Sequence, residues 1–248
     1  MNQLMRGMSA IAVSVTLAAC MAPSRPDTPL QTALMTAPQP ATRAVVVLPG
    51  RRDDLAGLQQ NGIVAAIQGQ WPDADVVLAD VPLAVYRAGN MPERLHADVI
   101  LPTRARGYRE VWLAGASMGG TGVILYDRDH PGELDGLILL APYLGGRGIQ
   151  GEIDDAGGLV RWDPGASQPI NADNWQHEFW RHLQFLSADT MQRKRVWLAY
   201  GEDDRLSRAI ARLAPHLNAD QVLTRPGGHA WSVWSPATAE LLARIQGD

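Results

Sequence analysis

The stretch Gly115-Ala116-Ser117-Met118-Gly119-Gly120 constrains the fold of this chain more than any other. It follows the apolar run Val111-Trp112-Leu113-Ala114 and precedes a segment, Thr121 to Arg128, that reads as a helix. The order is strand, sharp turn, helix, with a serine at the tip. A Gly-x-Ser-x-Gly turn in that setting holds the serine in a strained backbone conformation and lifts its hydroxyl above the sheet edge. Small residues are needed around it because the strand and helix backbones approach closely at the elbow.

A serine hydroxyl is a poor nucleophile at neutral pH, so it needs a base, and the base needs a carboxylate to orient it. Both types of residue occur downstream. Val196-Trp197-Leu198-Ala199-Tyr200 has a buried-strand pattern and runs into Gly201-Glu202-Asp203-Asp204-Arg205-Leu206. A short strand at Gln221–Thr224 then leads to Pro226-Gly227-Gly228-His229-Ala230-Trp231. The acid follows one strand and the histidine the next, in the chain order Ser, Asp, His.

On these residues the chain resembles the α/β-hydrolase superfamily of serine esterases, from about Arg43 to the C-terminus. The resemblance implies an α/β fold with a mostly parallel central sheet, helices on both faces and a small lid insertion at about 143–192. It implies Ser117 as nucleophile and His229 as base. The family's Gly-x-x-Asp loop selects Asp204 as the orienting acid, with Asp203 beside it as the alternative. An acid in this run that is not catalytic would favour a helix N-terminus. The oxyanion hole needs two backbone N–H groups. By resemblance they come from Met118 and, in the loop Pro49-Gly50-Arg51 after the strand Val45–Leu48, from Arg51. Pro49 stands where many members have histidine.

Apolar runs alternating with helical patterns imply parallel strands with crossover helices. Strands read at Ala44–Leu48, Asp75–Ala79, Val111–Ala114, Gly136–Leu140, Val196–Tyr200 and Gln221–Thr224. Helices read at Leu55–Gln68, Pro92–Arg106, Met118–Arg128, Arg205–Leu217 and Trp231–Gln246. The antiparallel strands that often open the fold are not expected, and the hydrolase domain is placed at 43–248. Between Leu140 and Arg195 the rhythm stops. Asn171–Leu186 reads as one amphipathic helix or two short ones, with Trp175, Phe179, Trp180 and Leu183 at helical spacing. Candidate substrate-pocket residues are Tyr143, Leu144, Trp175, Trp180 and Trp231.

The N-terminal region reads differently. Residues 1–19 carry one cation, Arg6, and an apolar stretch too short to span a bilayer, as in a signal peptide. Leu17-Ala18-Ala19-Cys20 resembles the bacterial lipoprotein signal, which implies acylation of Cys20, the only cysteine. Residues 20–42, with Pro23, Pro26, Pro29, Pro38 and Pro40, read as an extended tether. Together these imply export and a lipid anchor, on the outer membrane facing the periplasm in a Gram-negative source.

Other chemistries are not supported. A net charge of −4 argues against a nucleic-acid surface. His177 and His182 are five apart and do not share a helix face as a zinc-protease pair must. The single lysine, Lys194, lies in no phosphate-binding loop. No cofactor or metal is implied. The expected function is cleavage of carboxylic esters of small molecules through an acyl-enzyme. A thioesterase, amidase or acyltransferase would use the same residues. A non-catalytic envelope lipoprotein is the reading from another class, and the complete Ser, Asp, His set argues against it.

Overall fold

The computed structural model describes residues 28–247. The expected signal peptide and Cys20 lie outside the described residues. Seven strands form one sheet: β1 Thr32–Met35, β2 Arg43–Leu48, β3 Ala74–Ala79, β4 Glu110–Ala116, β5 Gly136–Leu140, β6 Val196–Gly201 and β7 Val222–Arg225, in the order β1-β3-β2-β4-β5-β6-β7. All neighbours are parallel except β1, which runs antiparallel to β3. The sheet centre is built from unbroken apolar runs such as Val45-Val46-Val47-Leu48, every residue of which is buried. That pattern requires cover on both faces.

Two groups of helices supply the cover. α1 (Leu55–Gln60), α2 (Ile63–Gln70) and the C-terminal α11 (Trp231–Gly247) form one. The other comprises α3 (Leu83–Ala88), α4 (Met91–Leu95), α5 (Leu101–Arg104), α6 (Met118–Asp129) and α8 (Trp175–Ala188). α7 (Arg147–Asp155) and α9 (Thr190–Arg193) belong to the segment between β5 and β6, and α10 (Ser207–Ile210) follows β6. The chain moves outward from β2 to β3, then returns to place β4 on the other side of β2. A crevice therefore opens beyond the carboxyl ends of β2 and β4, where open α/β sheets bind ligands.

Three differences from the sequence expectations have local causes. The expected helix Leu55–Gln68 is two helices, because Gly62 adopts φ 85° and breaks it. The expected helix at Pro92 contains a π-helical turn, His96–Ile100, where the Leu101 N–H reaches back to the His96 carbonyl. Pro102, which has no N–H, follows at once, and the wider turn absorbs the interruption. The expected helix Arg205–Leu217 shrinks to α10 and a 3-10 turn at Ala214–His216.

The tether boundary at residue 42 needs correction. β1 pairs Thr32 with Ala79 and Met35 with Val76, so the folded unit starts before Arg43. Leu30 and Ala37 donate backbone N–H groups to Asp98 (3.0 Å) and Asp75 (2.8 Å), pinning both ends of β1. The strand is short, only partly buried and on the sheet edge, a setting that tolerates flanking prolines. That is why its sequence reads as tether.

Candidate active site

Ser117 stands between β4 and α6 with φ 53° and ψ −111°, one of two non-glycine residues with positive φ among those described. Such a conformation is unfavourable for a side chain and persists only where the surroundings over-determine it. Here the Ser117 N–H donates to the Leu140 carbonyl (2.8 Å), and its own carbonyl accepts from the Tyr143 N–H (2.9 Å). The flanking glycines allow the close approach. A Cβ on Gly119 would lie 2.5 Å from the Leu48 carbonyl oxygen, and one on Gly115 would collide with the Gly119 backbone. The elbow is therefore wedged against the end of β2.

His229 lies in the loop between β7 and α11. Its Nδ1 is 2.8 Å and 3.0 Å from the two carboxylate oxygens of Asp204, in the loop after β6. An ionised carboxylate only accepts, so Nδ1 carries the proton and Nε2 is left as the acceptor. The Asp204 side chain is fully buried and also accepts the Leu206 N–H (2.8 Å). Asp203 is exposed, and its backbone N–H bonds to the Gly227 carbonyl. The structure thus brings Asp204, and not Asp203, to His229. The edge of Trp234 meets the imidazole, with ring centroids 4.7 Å apart and planes at 87°.

Ser117, Met118, His229 and Arg51 line one cavity of about 1280 Å³. The loop carrying Arg51 is shaped by Asp53, whose Oδ2 accepts from the Gly50 N–H (3.0 Å) and from Trp231 Nε1 (2.9 Å). The Gly50 N–H is thereby consumed, and Gly50 itself sits beside Ser117: a Cβ there would lie 3.8 Å from that of Ser117. The Met118 N–H is at the first turn of α6, where backbone donors have no intrahelical partner.

Of the pocket residues expected from sequence, Tyr143, Trp175 and Trp231 line the cavity. Leu144 and Trp180 do not. Both are fully buried, and Trp180 Nε1 donates to the Leu144 carbonyl (2.8 Å), so they belong to the core beneath the insertion. Their correction follows from α8: its Phe179, Trp180 and Leu183 face inward, while Trp175 at its first turn reaches the cavity.

Sequence reasoning missed several lining residues. Asp53 and Trp234 reach the site only through tertiary contacts. Leu83, Tyr86 and Arg87 come from α3, a six-residue helix with no long periodic pattern. The Tyr86 hydroxyl is buried without a hydrogen-bond partner, and burial raises its pKa above the ordinary tyrosine value. Among the described residues no group of three or more His, Cys, Asp or Glu side chains could hold a metal ion.

The insertion overhanging the cavity is organised by Glu178 on α8. Its carboxylate accepts from Ser167 Oγ (3.1 Å), the Gln168 N–H (3.1 Å) and Arg181 (3.2 Å). Arg181 also donates to the carbonyls of Gly165, Pro164 and Ala166. Together the two side chains fasten the loop that brings Ile170 over the cavity. Burial acts to raise the Glu178 pKa, but the Gln168 N–H, Arg181 and Ser167 outweigh it and hold the carboxyl below its ordinary range.

This fold, with a strained serine at the strand–helix elbow, defines an α/β-hydrolase. The profile of the Esterase family matches residues 97–245, and the chain belongs to that family: it is a carboxylic ester hydrolase. No curated protein matches it in sequence. Among solved structures it is similar to FphF, a fluorophosphonate-binding serine hydrolase of Staphylococcus aureus (13% identity, 89% of this chain and 100% of that one, TM-score 0.56). It is also similar to the S-formylglutathione hydrolase FrmB of Staphylococcus aureus (15%, 84% and 82%, 0.53). A third is Est1E of Butyrivibrio proteoclasticus (14%, 88% and 93%, 0.52). At these identities the likeness is one of fold.

Proposed function

We propose that Ser117, His229 and Asp204 act as one catalytic unit that hydrolyses carboxylic esters through an acyl-enzyme. The observation that carries this reading is the buried Asp204 carboxylate, 2.8 Å from Nδ1 of His229, which lines the cavity that also holds the strained Ser117. Ser117 Oγ attacks the acyl carbonyl while His229 Nε2 takes its proton. Asp204 fixes the tautomer and stabilises the imidazolium. The Met118 and Arg51 N–H groups receive the oxyanion. The imidazolium then protonates the departing alcohol, and water, activated by the same imidazole, releases the acid. Tyr143, Trp175 and Trp231 form the apolar part of the substrate pocket.

The test is labelling with a fluorophosphonate probe. The wild-type protein should be labelled once, at Ser117, and Ser117→Ala should be neither labelled nor active on ester substrates. Undiminished ester hydrolysis by Ser117→Ala would overturn the assignment.

We also propose that Cys20 is acylated and anchors the enzyme to a membrane surface, on the outer membrane facing the periplasm in a Gram-negative cell. The support is the short apolar run ending in Leu-Ala-Ala-Cys. Two or more acyl chains give stable anchoring. Growth with an alkyne fatty acid should label the wild type and not Cys20→Ser; equal labelling of the two would exclude the anchor.

A further inference from the structure

Four arginines line the cavity that holds Ser117. Arg51 and Arg52 come from the loop after β2, Arg87 from α3, and Arg205 from the loop after β6. Three separate stretches of chain therefore deliver the same charge to one place. Asp53 is the one carboxylate among the lining residues, and the Gly50 N–H and Trp231 already occupy its Oδ2. The lining thus carries an excess of three positive charges, in a chain whose net charge is −4.

These arginines are exposed and have no protein partner, a state that Arg109, Arg147, Arg161 and Arg208 share among the described residues. Nine arginines elsewhere, Arg43 and Arg195 among them, form ion pairs. Arg51, Arg52, Arg87 and Arg205 have neither an ion pair nor a side-chain hydrogen bond among the described residues. Gathering like charges is unfavourable, the more so beside a histidine that must become an imidazolium during the reaction. A bound anion reverses both terms. The guanidinium fork suits the oxyacid anions, carboxylate and phosphate, because it donates in pairs to their oxygens. Tyr143, Ile170 and Trp175, which line the same cavity, suit an apolar group.

We propose that the arginines form an oxyanion-acid subsite, and that the ester cleaved here carries a carboxylate or phosphate alongside its apolar part. The proposal rests on Ser117 being the nucleophile. Because the anion sits near the imidazolium formed in the transition state, it acts on kcat as well as on KM. It distinguishes this enzyme from an esterase for neutral esters.

Two matched substrate pairs test it: 4-nitrophenyl pentanoate against 4-nitrophenyl hydrogen glutarate, and monobutyrin against butyryl glycerol 3-phosphate. The quantity read is the ratio of kcat/KM, anionic over neutral, within each pair. The wild type should favour at least one anion by on the order of tenfold at low ionic strength, about the value of one charge-assisted hydrogen bond. Salt should erode the ratio. The carboxylate and phosphate arms show which anion the subsite takes. The double variant Arg87→Gln/Arg205→Gln should lose most of the preference. Arg109→Gln, at the opposite end of the sheet just before β4, should keep it. Ratios near one in the wild type, or an equal loss in the Arg109→Gln control, would overturn the subsite. Failure of the underlying reading looks different: Ser117→Ala would then still hydrolyse the neutral esters. Thermal melts of each variant separate loss of preference from loss of fold.

Discussion

The elbow around Ser117 and the insertion between β5 and β6 bound the same cavity but are built on opposite terms. At the elbow the backbone does the positioning: Gly115 and Gly119 let chain segments touch, and main-chain bonds from Ser117 to Leu140 and Tyr143 fix the tip. In the insertion side chains do it. Trp180 caps the Leu144 carbonyl, Glu178 and Arg181 hold the 164–168 loop, and Asp127 on α6 accepts from His182 on α8 (2.9 Å) and from Arg195 (2.9 Å). Backbone-determined geometry has few alternatives and tolerates little change. A side-chain network can lose a member and keep its outline.

Six substitutions sharpen or break that contrast. The largest effect belongs to the acid loop: Asp204→Asn should lower kcat by about 10⁴-fold, as loss of the correct tautomer does in such triads. Asp203→Asn should change it little, and steady-state kinetics of the pair decides. Next comes the insertion core. Phe179, fully buried on α8, should cost about 3–5 kcal/mol of stability on change to alanine. Denaturant unfolding would show whether the insertion melts with the rest of the molecule or ahead of it.

Glycine substitutions should then separate the two regions by sign. Gly119→Ala must move the Leu48 and Pro49 carbonyls and should cost about 1–3 kcal/mol. Gly151→Ala, in α7 with nothing within 4 Å of the new methyl, should stabilise by about 0.5–1 kcal/mol. Equal effects on Tm would remove the distinction. The smallest effect concerns Glu178. Its folded-state pKa is held below the ordinary 4.5, so its contribution is present above that value and disappears as the pH falls through the folded-state value. Glu178→Gln should lower Tm by about 2–4 °C at neutral pH, a loss of about 1 kcal/mol. In acid its Tm should fall less steeply than that of the wild type. Parallel Tm–pH curves would show that Glu178 contributes no such linkage.

The same contrast explains what could be read from the sequence. Strands β2 to β7 were legible to within two residues at either end because buried parallel strands are unbroken apolar runs, as in Val45–Leu48. The elbow was legible because glycine is required at fixed offsets from Ser117. Asp204 could be chosen over Asp203 only by a family spacing, and its distance to His229 is a tertiary fact. β1 was hidden because an edge strand of four half-exposed residues between prolines leaves no periodic trace. Trp180 and Trp175 both sit on the insertion helix, and spacing alone does not reveal which faces the core and which the cavity. The arginines of the cavity were invisible for the same reason: Arg52, Arg87 and Arg205 become neighbours of one space only when two loops and α3 have come together.

The bond from Trp231 to Asp53 joins residues 178 positions apart, the first loop of the site to the opening turn of the final helix. His229 lies two residues before that turn. An emerging chain therefore contains its serine elbow long before it contains His229 or the Trp231 that bonds to Asp53. Ser117 and His229 therefore come to share one cavity only once the chain has been made as far as Trp231 and folded.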